Sequence, residues 1–137
     1  MNRSIPALSI RQPFAWAILH AGKNVENREW ATRYRGRIRI HAAKTWDEEG
    51  YEWLKNEGDC DTFLPAPYDP AWFPLGAYVG EVTVTNCVQY DTAFAAAENP
   101  WAFGPWCWVL ADPIAYPEPI PGRGYPGLYL PERFERT

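Results

Sequence analysis

Gly22–Ala43 reads GKNVENREWATRYRGRIRIHAA. With Lys44 just past its end, this stretch holds Lys23, Arg28, Arg33, Arg35, Arg37 and Arg39, seven of the chain's 13 basic side chains, against only Glu26 and Glu29. Its second half has a period of two. Ile38 and Ile40 alternate with Arg37, Arg39 and His41, the mark of a half-buried strand whose arginine face meets solvent. Before a turn at Tyr34-Arg35-Gly36 lies another extended piece. There Asn24, Glu26, Arg28 and Trp30 share one side, and Lys23, Val25, Asn27 and Glu29 the other. An acid, a base and an indole on one strand face describe a binding wall, so the working site is placed here.

A chain of 137 residues reads as a single domain, 1–137, able to bury a core without disulfides. Eight Trp, eight Tyr and 14 Pro favour short strands and rigid connections over long helices. A net charge of −4 argues against a general nucleic-acid coat, but the charge is uneven. Residues 1–44 carry nine basic and two acidic side chains, residues 45–137 four and fifteen. One face can therefore attract a polyanion while the rest keeps the protein soluble.

Cys60, Cys87 and Cys107 are odd in number and lack CxxC spacing, which reads as reduced thiols in the cytoplasm. MNRSIPALSI is too short and polar for a signal peptide, and no apolar run approaches a membrane span. The expected location is cytoplasmic, with no membrane partner. Two histidines without a carboxylate at ligand spacing, and no P-loop or dinucleotide fingerprint, imply neither metal nor cofactor.

Along the chain, Ala7–Ile10 is a short strand. Pro13 suits the first position of a short helix, Phe14–Ala21, which Gly22 closes. Thr45–Glu57 is a second helix, capped by Thr45 or Asp47 and ended by Gly58-Asp59. Leu64–Pro74 is a proline-rich loop and a candidate lid. Ala77–Val88 alternates as a strand, Asp91 caps a short helix through Ala97, and Pro105–Leu110 is another strand. The tail alternates prolines with apolar residues and finishes in a strand at Leu128–Leu130. Five to seven short, mostly antiparallel strands with two or three flanking short helices describe an α+β small barrel or curled sheet.

Taken together, LSIRQPFAWAIL, GKNVENREW, RYRGRIRIHAA, GEVTVTNCV and GPWCWVL, in this order and followed by a Pro-Ile-Pro-Gly tail, resemble the activating-signal-cointegrator homology (ASCH) family. That resemblance implies a PUA-like β-barrel with a cleft for a nucleotide or single-stranded nucleic acid. Of the family signature G-x-K-x-x-E-x-R, Lys23, Glu26 and Arg28 are present, while Ala21 stands at the glycine. Small bacterial members that resemble this domain include amidohydrolases of acylated cytidine and others with ribonuclease behaviour. The amidohydrolases use the motif lysine, a threonine three residues later and a distant glutamate. Here Glu26 stands at the threonine, and Glu81 is the candidate for the glutamate.

A lysine desolvated beside Arg28 loses proton affinity and can act as base or nucleophile, with Glu26 handling protons; a plain Lys23–Glu26 ion pair is the other account. Arg28 and Arg35 are phosphate candidates because a guanidinium matches two phosphate oxygens at once. Arg37 and Arg39 read as a solvated face. Trp30 and Trp16 are candidates to stack a base. Ser9 and Gln12 either face an anion at the first helix or simply cap it. His41 either joins the cleft or is structural. The expected cleft is lined by Ser9, Gln12, Lys23, Glu26, Arg28, Trp30, Arg35 and His41. It holds single-stranded RNA, a nucleotide or a nucleoside as a binding module, or hydrolyses a modified nucleoside. A protein-interaction domain using aromatics of the proline-rich loop is the third possibility.

Overall fold

The computed structural model describes residues 5–57, 64–90 and 99–134. Within them the chain runs β1 (Ala7–Ile10), α1 (Phe14–His20), β2 (Val25–Arg28), β3 (Gly36–Ala42), α2 (Glu48–Asn56), β4 (Ala77–Gln89) and β5 (Trp106–Pro121), then a 3-10 turn at Pro131–Phe134. The five strands form one mixed sheet in the order β1-β3-β4-β5-β2. β1 runs parallel to β3, and the other pairs are antiparallel. The sheet curls until its two edge strands meet across a seam, where Arg28 Nη2 on β2 donates to the Ser9 carbonyl on β1 at 3.3 Å. This is a half-barrel with two short helices, an α+β barrel-like fold as the sequence implies.

Helix α1 is short because both ends are fixed by side-chain and glycine chemistry. Pro13 sits one place earlier than expected, at the cap, and the buried Gln12 does the capping: its Oε1 accepts the Trp16 N–H at 2.8 Å. At the other end Gly22 takes φ +77°, a conformation glycine adopts without steric cost, and the Lys23 N–H returns to the Ala17 carbonyl at 3.1 Å. The helix is clamped between two cores. Ala15 and Ile18 pack with Leu8, Ile38, Ile40 and Val82; Trp16 and Ala17 pack with Tyr51, Leu54, Phe73 and Cys107. Strand β5 separates these clusters, with Trp108 in the first and Cys107 in the second.

Helix α2 starts at Asp47, not Thr45. Asp47 Oδ1 accepts the Gly50 N–H at 2.8 Å, with Glu48 and Glu49 in the first turn, where negative charge complements the helix dipole. A Cβ at Gly50 would collide with the Phe14 ring and the Asp47 carboxylate, so this glycine lets α2 close on α1. Loop 64–75 packs beside α2, with Phe73 buried in the second core and the Tyr51 hydroxyl donating to the Pro65 carbonyl. It is not the expected lid, because none of its residues lines the cleft described below.

The sheet settles one point the sequence left open and corrects two expectations. The two extended pieces of the basic stretch are not neighbours: β2 pairs with β5, while β3 lies between β1 and β4. The arginine face of β3 is largely covered instead of solvated, wholly at Arg39 and in part at Arg37. Arg39 is fully buried with Nη2 2.6 Å from Glu132, and Arg37 Nη1 donates to Thr83 Oγ1 and the Asp112 carbonyl. As an interior strand, β3 has α1 on one face and the C-terminal segment on the other, so period two marks its faces without saying which is wet. The strand at 105–110 also runs on to Pro121. Beyond Val109 only β4 pairs with it, and an edge tolerates prolines that lack an N–H. The Gly58-Asp59 helix stop, the Asp91–Ala97 helix and Cys60 lie outside the described residues. Among the described residues, Cys87 and Cys107 are free thiols and no helix is long and apolar enough to cross a membrane.

Candidate functional site

A cleft of about 1180 Å³ opens at the seam between β1 and β2. Its wall is built by the helix stop at Gly22. That turn bends Lys23 back over the start of β2, so a residue on the opposite side of an ideal strand joins the Glu26 face. Lys23 Nζ lies 3.4 Å from Glu26 Oε1 and also donates to the Val25 carbonyl. Arg28 Nη1 lies 3.2 Å from Glu26 Oε2. Lys23 and Glu26 are only 5% and 7% exposed, so this is an interior charge chain and not a surface pair. Burial pushes the Lys23 ammonium below its ordinary proton affinity; Glu26 opposes that fall, and Arg28 adds to it.

Next to this chain, Ser9 and His41 are register partners in the β1–β3 ladder. His41 Nε2 is 2.8 Å from the Gly122 carbonyl, which can only accept. The ring therefore carries its proton on Nε2, and Nδ1 accepts from the Ser9 hydroxyl at 2.9 Å. Burial holds His41 below its ordinary pKa; the hydrogen bond to the Gly122 carbonyl opposes that fall, and the charge of Lys44 adds to it.

Of the residues expected in the cleft, the structure brings together Ser9, Lys23, Glu26, Arg28 and His41. The other three, and the stacking candidate Trp16, are placed elsewhere. Gln12 is buried beneath α1, its Nε2 donating to the Pro74 carbonyl. Trp16 lies in the second core, edge-on to Phe73. Trp30 is half-exposed and packs edge-on to Trp108, with the Arg28 guanidinium 6.0 Å from its ring. Arg35 is exposed and donates to the Thr32 and Tyr34 carbonyls. Glu81, the candidate distant glutamate, accepts from the Tyr116 hydroxyl at 2.8 Å and faces Arg37, outside the cleft.

Sequence reasoning missed the aromatic and outer cationic lining: Phe14, Trp101, Phe103, Tyr125, Lys44 and Arg123. Asn27 builds part of it, its Oδ1 accepting the Phe103 and Gly104 N–H groups and its Nδ2 donating to the Trp101 carbonyl. Tyr125 is stacked on Phe134 at 3.8 Å and carries Arg123 5.5 Å from its ring. The available signal was Gly122-Arg123-Gly124-Tyr125, an arginine between glycines beside an aromatic, in a segment read only as a tail.

The family model of the ASCH domain matches residues 8–134, and the chain belongs to this family, which is part of the PUA-like superfamily and is made of nucleic-acid-binding-type domains. No curated protein matches the chain.

Proposed function

We propose that this domain binds a nucleotide or a short single-stranded RNA in the seam cleft. The observation that carries the reading is the lining itself. Arg11, Lys23, Arg28, Lys44 and Arg123 face only Glu26 and Asp47 there, and Phe14, Trp101, Phe103 and Tyr125 accompany them, in a chain whose net charge is −4. A positive hollow in an acidic protein draws a polyanion to one place. Aromatic faces stack bases of any sequence. The volume exceeds the roughly 300–1,000 Å³ of small-molecule pockets, which leaves room for more than one nucleotide.

Arg28, held from two sides by Glu26 and the Ser9 carbonyl, supplies a fixed guanidinium for phosphate. Arg123 and Lys44 supply the outer charge, and Phe103, 55% exposed, is the stacking platform. Both Glu26 oxygens already accept from Lys23 and Arg28, so its main task is to orient those cations. Fluorescence anisotropy with a labelled single-stranded RNA tests the reading. Affinity falls as salt rises, and Arg123→Ala reduces the slope of log K against log salt by about one. Binding that ignores salt, or no binding at low salt, contradicts it.

A second reading rests on Lys23. An interior lysine with lowered proton affinity, touching a carboxylate in a cleft, is equipped to act as a base toward a modified nucleoside. Incubating acylated cytidines with wild type and Lys23→Ala separates the two readings: turnover lost in a folded variant supports hydrolysis, and no turnover in wild type removes it.

A further inference from the structure

We infer that Ser9 and His41 form a nucleophile–base pair that cleaves acyl esters. The naming of an O-acylated nucleotide as substrate rests on the nucleotide reading above; the dyad itself does not. Two features of the fold produce it. Parallel pairing of β1 with β3 puts Ser9 and His41 opposite each other in register, and the C-terminal segment supplies the Gly122 carbonyl that fixes the ring as the Nε2–H tautomer. Nδ1 is thereby left as an acceptor, 2.9 Å from a hydroxyl that lines the cleft. The hydroxyl donates into an unprotonated imidazole, the arrangement a general base requires.

The surroundings fit that role. Tyr78 packs its ring 4.9 Å from His41 on one side, Lys44 is the nearby cation that disfavours imidazolium, and Ser9 completes the contacts from β1. The Arg28 guanidinium is anchored to the Ser9 carbonyl at 3.3 Å, which holds a positive charge at the residue that bears the nucleophile, where fixed donors favour developing negative charge. Gly124 passes so close that a Cβ there would come within 2.4 Å of both Ser9 Oγ and His41 Nδ1, so the C-terminal segment packs directly against the pair and residue 124 has no room for a side chain.

The reaction balances without another cofactor. Ser9 Oγ adds to the ester carbonyl carbon as its proton passes to His41 Nδ1. The acyl C–O bond then breaks, and Nδ1–H returns that proton to the departing alkoxide, freeing the nucleotide alcohol and leaving acyl-Ser9. Water adds to the acyl carbon, losing a proton to Nδ1. Ser9 Oγ departs with that proton, and the carboxylic acid is released. His41 is backed by a neutral carbonyl and not by a carboxylate, so the imidazolium gains less stabilisation than in a full triad. That favours activated acyl groups such as esters over amides.

The test uses the whole folded protein with two probes. A fluorophosphonate, followed by mass mapping, reads the nucleophile directly; 3′-O-acetyl-adenosine monophosphate and p-nitrophenyl acetate read turnover. An adduct on Ser9 in native but not heat-denatured protein is expected. Ser9→Ala, a near-isosteric change, should cut turnover of both esters by about 10²-fold or more, a general-base-sized effect. Labelling should rise with pH through the lowered titration of His41 and level off, and His41→Gln should lose that rising limb. No Ser9 adduct in folded wild type, or unchanged turnover in Ser9→Ala, overturns the dyad. Labelling at Ser9 with cleavage of p-nitrophenyl acetate but no binding of adenosine monophosphate leaves the dyad standing and overturns the nucleotide reading alone.

Discussion

Glu26 is the joint of the interior charge chain, and Glu26→Ala is the change that tests its energetics. Its two oxygens lie 3.4 Å from Lys23 Nζ and 3.2 Å from Arg28 Nη1. The variant leaves the Lys23 ammonium buried, with the Val25 carbonyl and the Phe14 ring 5.3 Å away as its remaining company. Removing one member of a buried pair typically costs about 3–5 kcal/mol. Lysine has an escape, however, because it can shed its proton. From its ordinary value of 10.5, neutralisation at pH 7 costs about 5 kcal/mol at 1.36 kcal/mol per pH unit, and at pH 9 only about 2 kcal/mol. The penalty therefore reaches its full value near neutrality and shrinks in alkali. A lysine with lowered proton affinity is bound to more protons in the unfolded chain, so its contribution to stability is complete above 10.5 and lost as pH falls through the folded value. Glu26→Ala moves that folded value further down. Urea denaturation should show a loss of about 3–4 kcal/mol at pH 7 and a clearly smaller one at pH 9. A loss under about 1 kcal/mol, equal at both pH values, would refute a buried, desolvated Lys23.

Other perturbations reach separate parts of the account. Gly50→Ala would press a methyl into the Phe14 ring and the Asp47 carboxylate, at an overpacking cost of about 1–3 kcal/mol by chemical denaturation. Asp47→Ala removes the α2 cap and should lower stability by about 1 kcal/mol; no change in either variant would count against the α1–α2 packing. His41 is held below 6.5, so the unfolded chain takes up its proton first and stability falls as pH drops from 6.5 through the folded value. His20 is lowered too, so His41→Gln should flatten only part of that acid limb in a Tm–pH profile.

How much of this was legible in the sequence follows from what each signal measures. Alternation at Ile38 and Ile40 marked a strand, and the spacing of Phe14, Ala17 and Ile18 marked a helix, because both periods are set by local backbone geometry. The convergence of Lys23 on Glu26 was readable only as a condition on the turn after Gly22, and that turn meets it. Solvation was not local. Arg39 is buried because Glu132, 93 positions away, comes back to cover it. The cleft's far wall had the same origin: Arg123 and Tyr125 reach it through the return of the C-terminal segment, which no period announces. Proximity in sequence also misled, since Trp16 lies just before the basic stretch and Trp30 within it, yet they pack against Phe73 and Trp108 instead of opening to the cleft.

The most direct measurement is a titration of isotopically labelled protein with a short single-stranded RNA, followed by amide chemical shifts. Saturable changes should concentrate at Ser9, Lys23–Arg28, Phe103 and Gly122–Gly127, and fade as salt is raised. Shifts confined to the exposed loop around Tyr68 and Trp72, or no saturable shifts at low salt, would contradict a ligand in the seam.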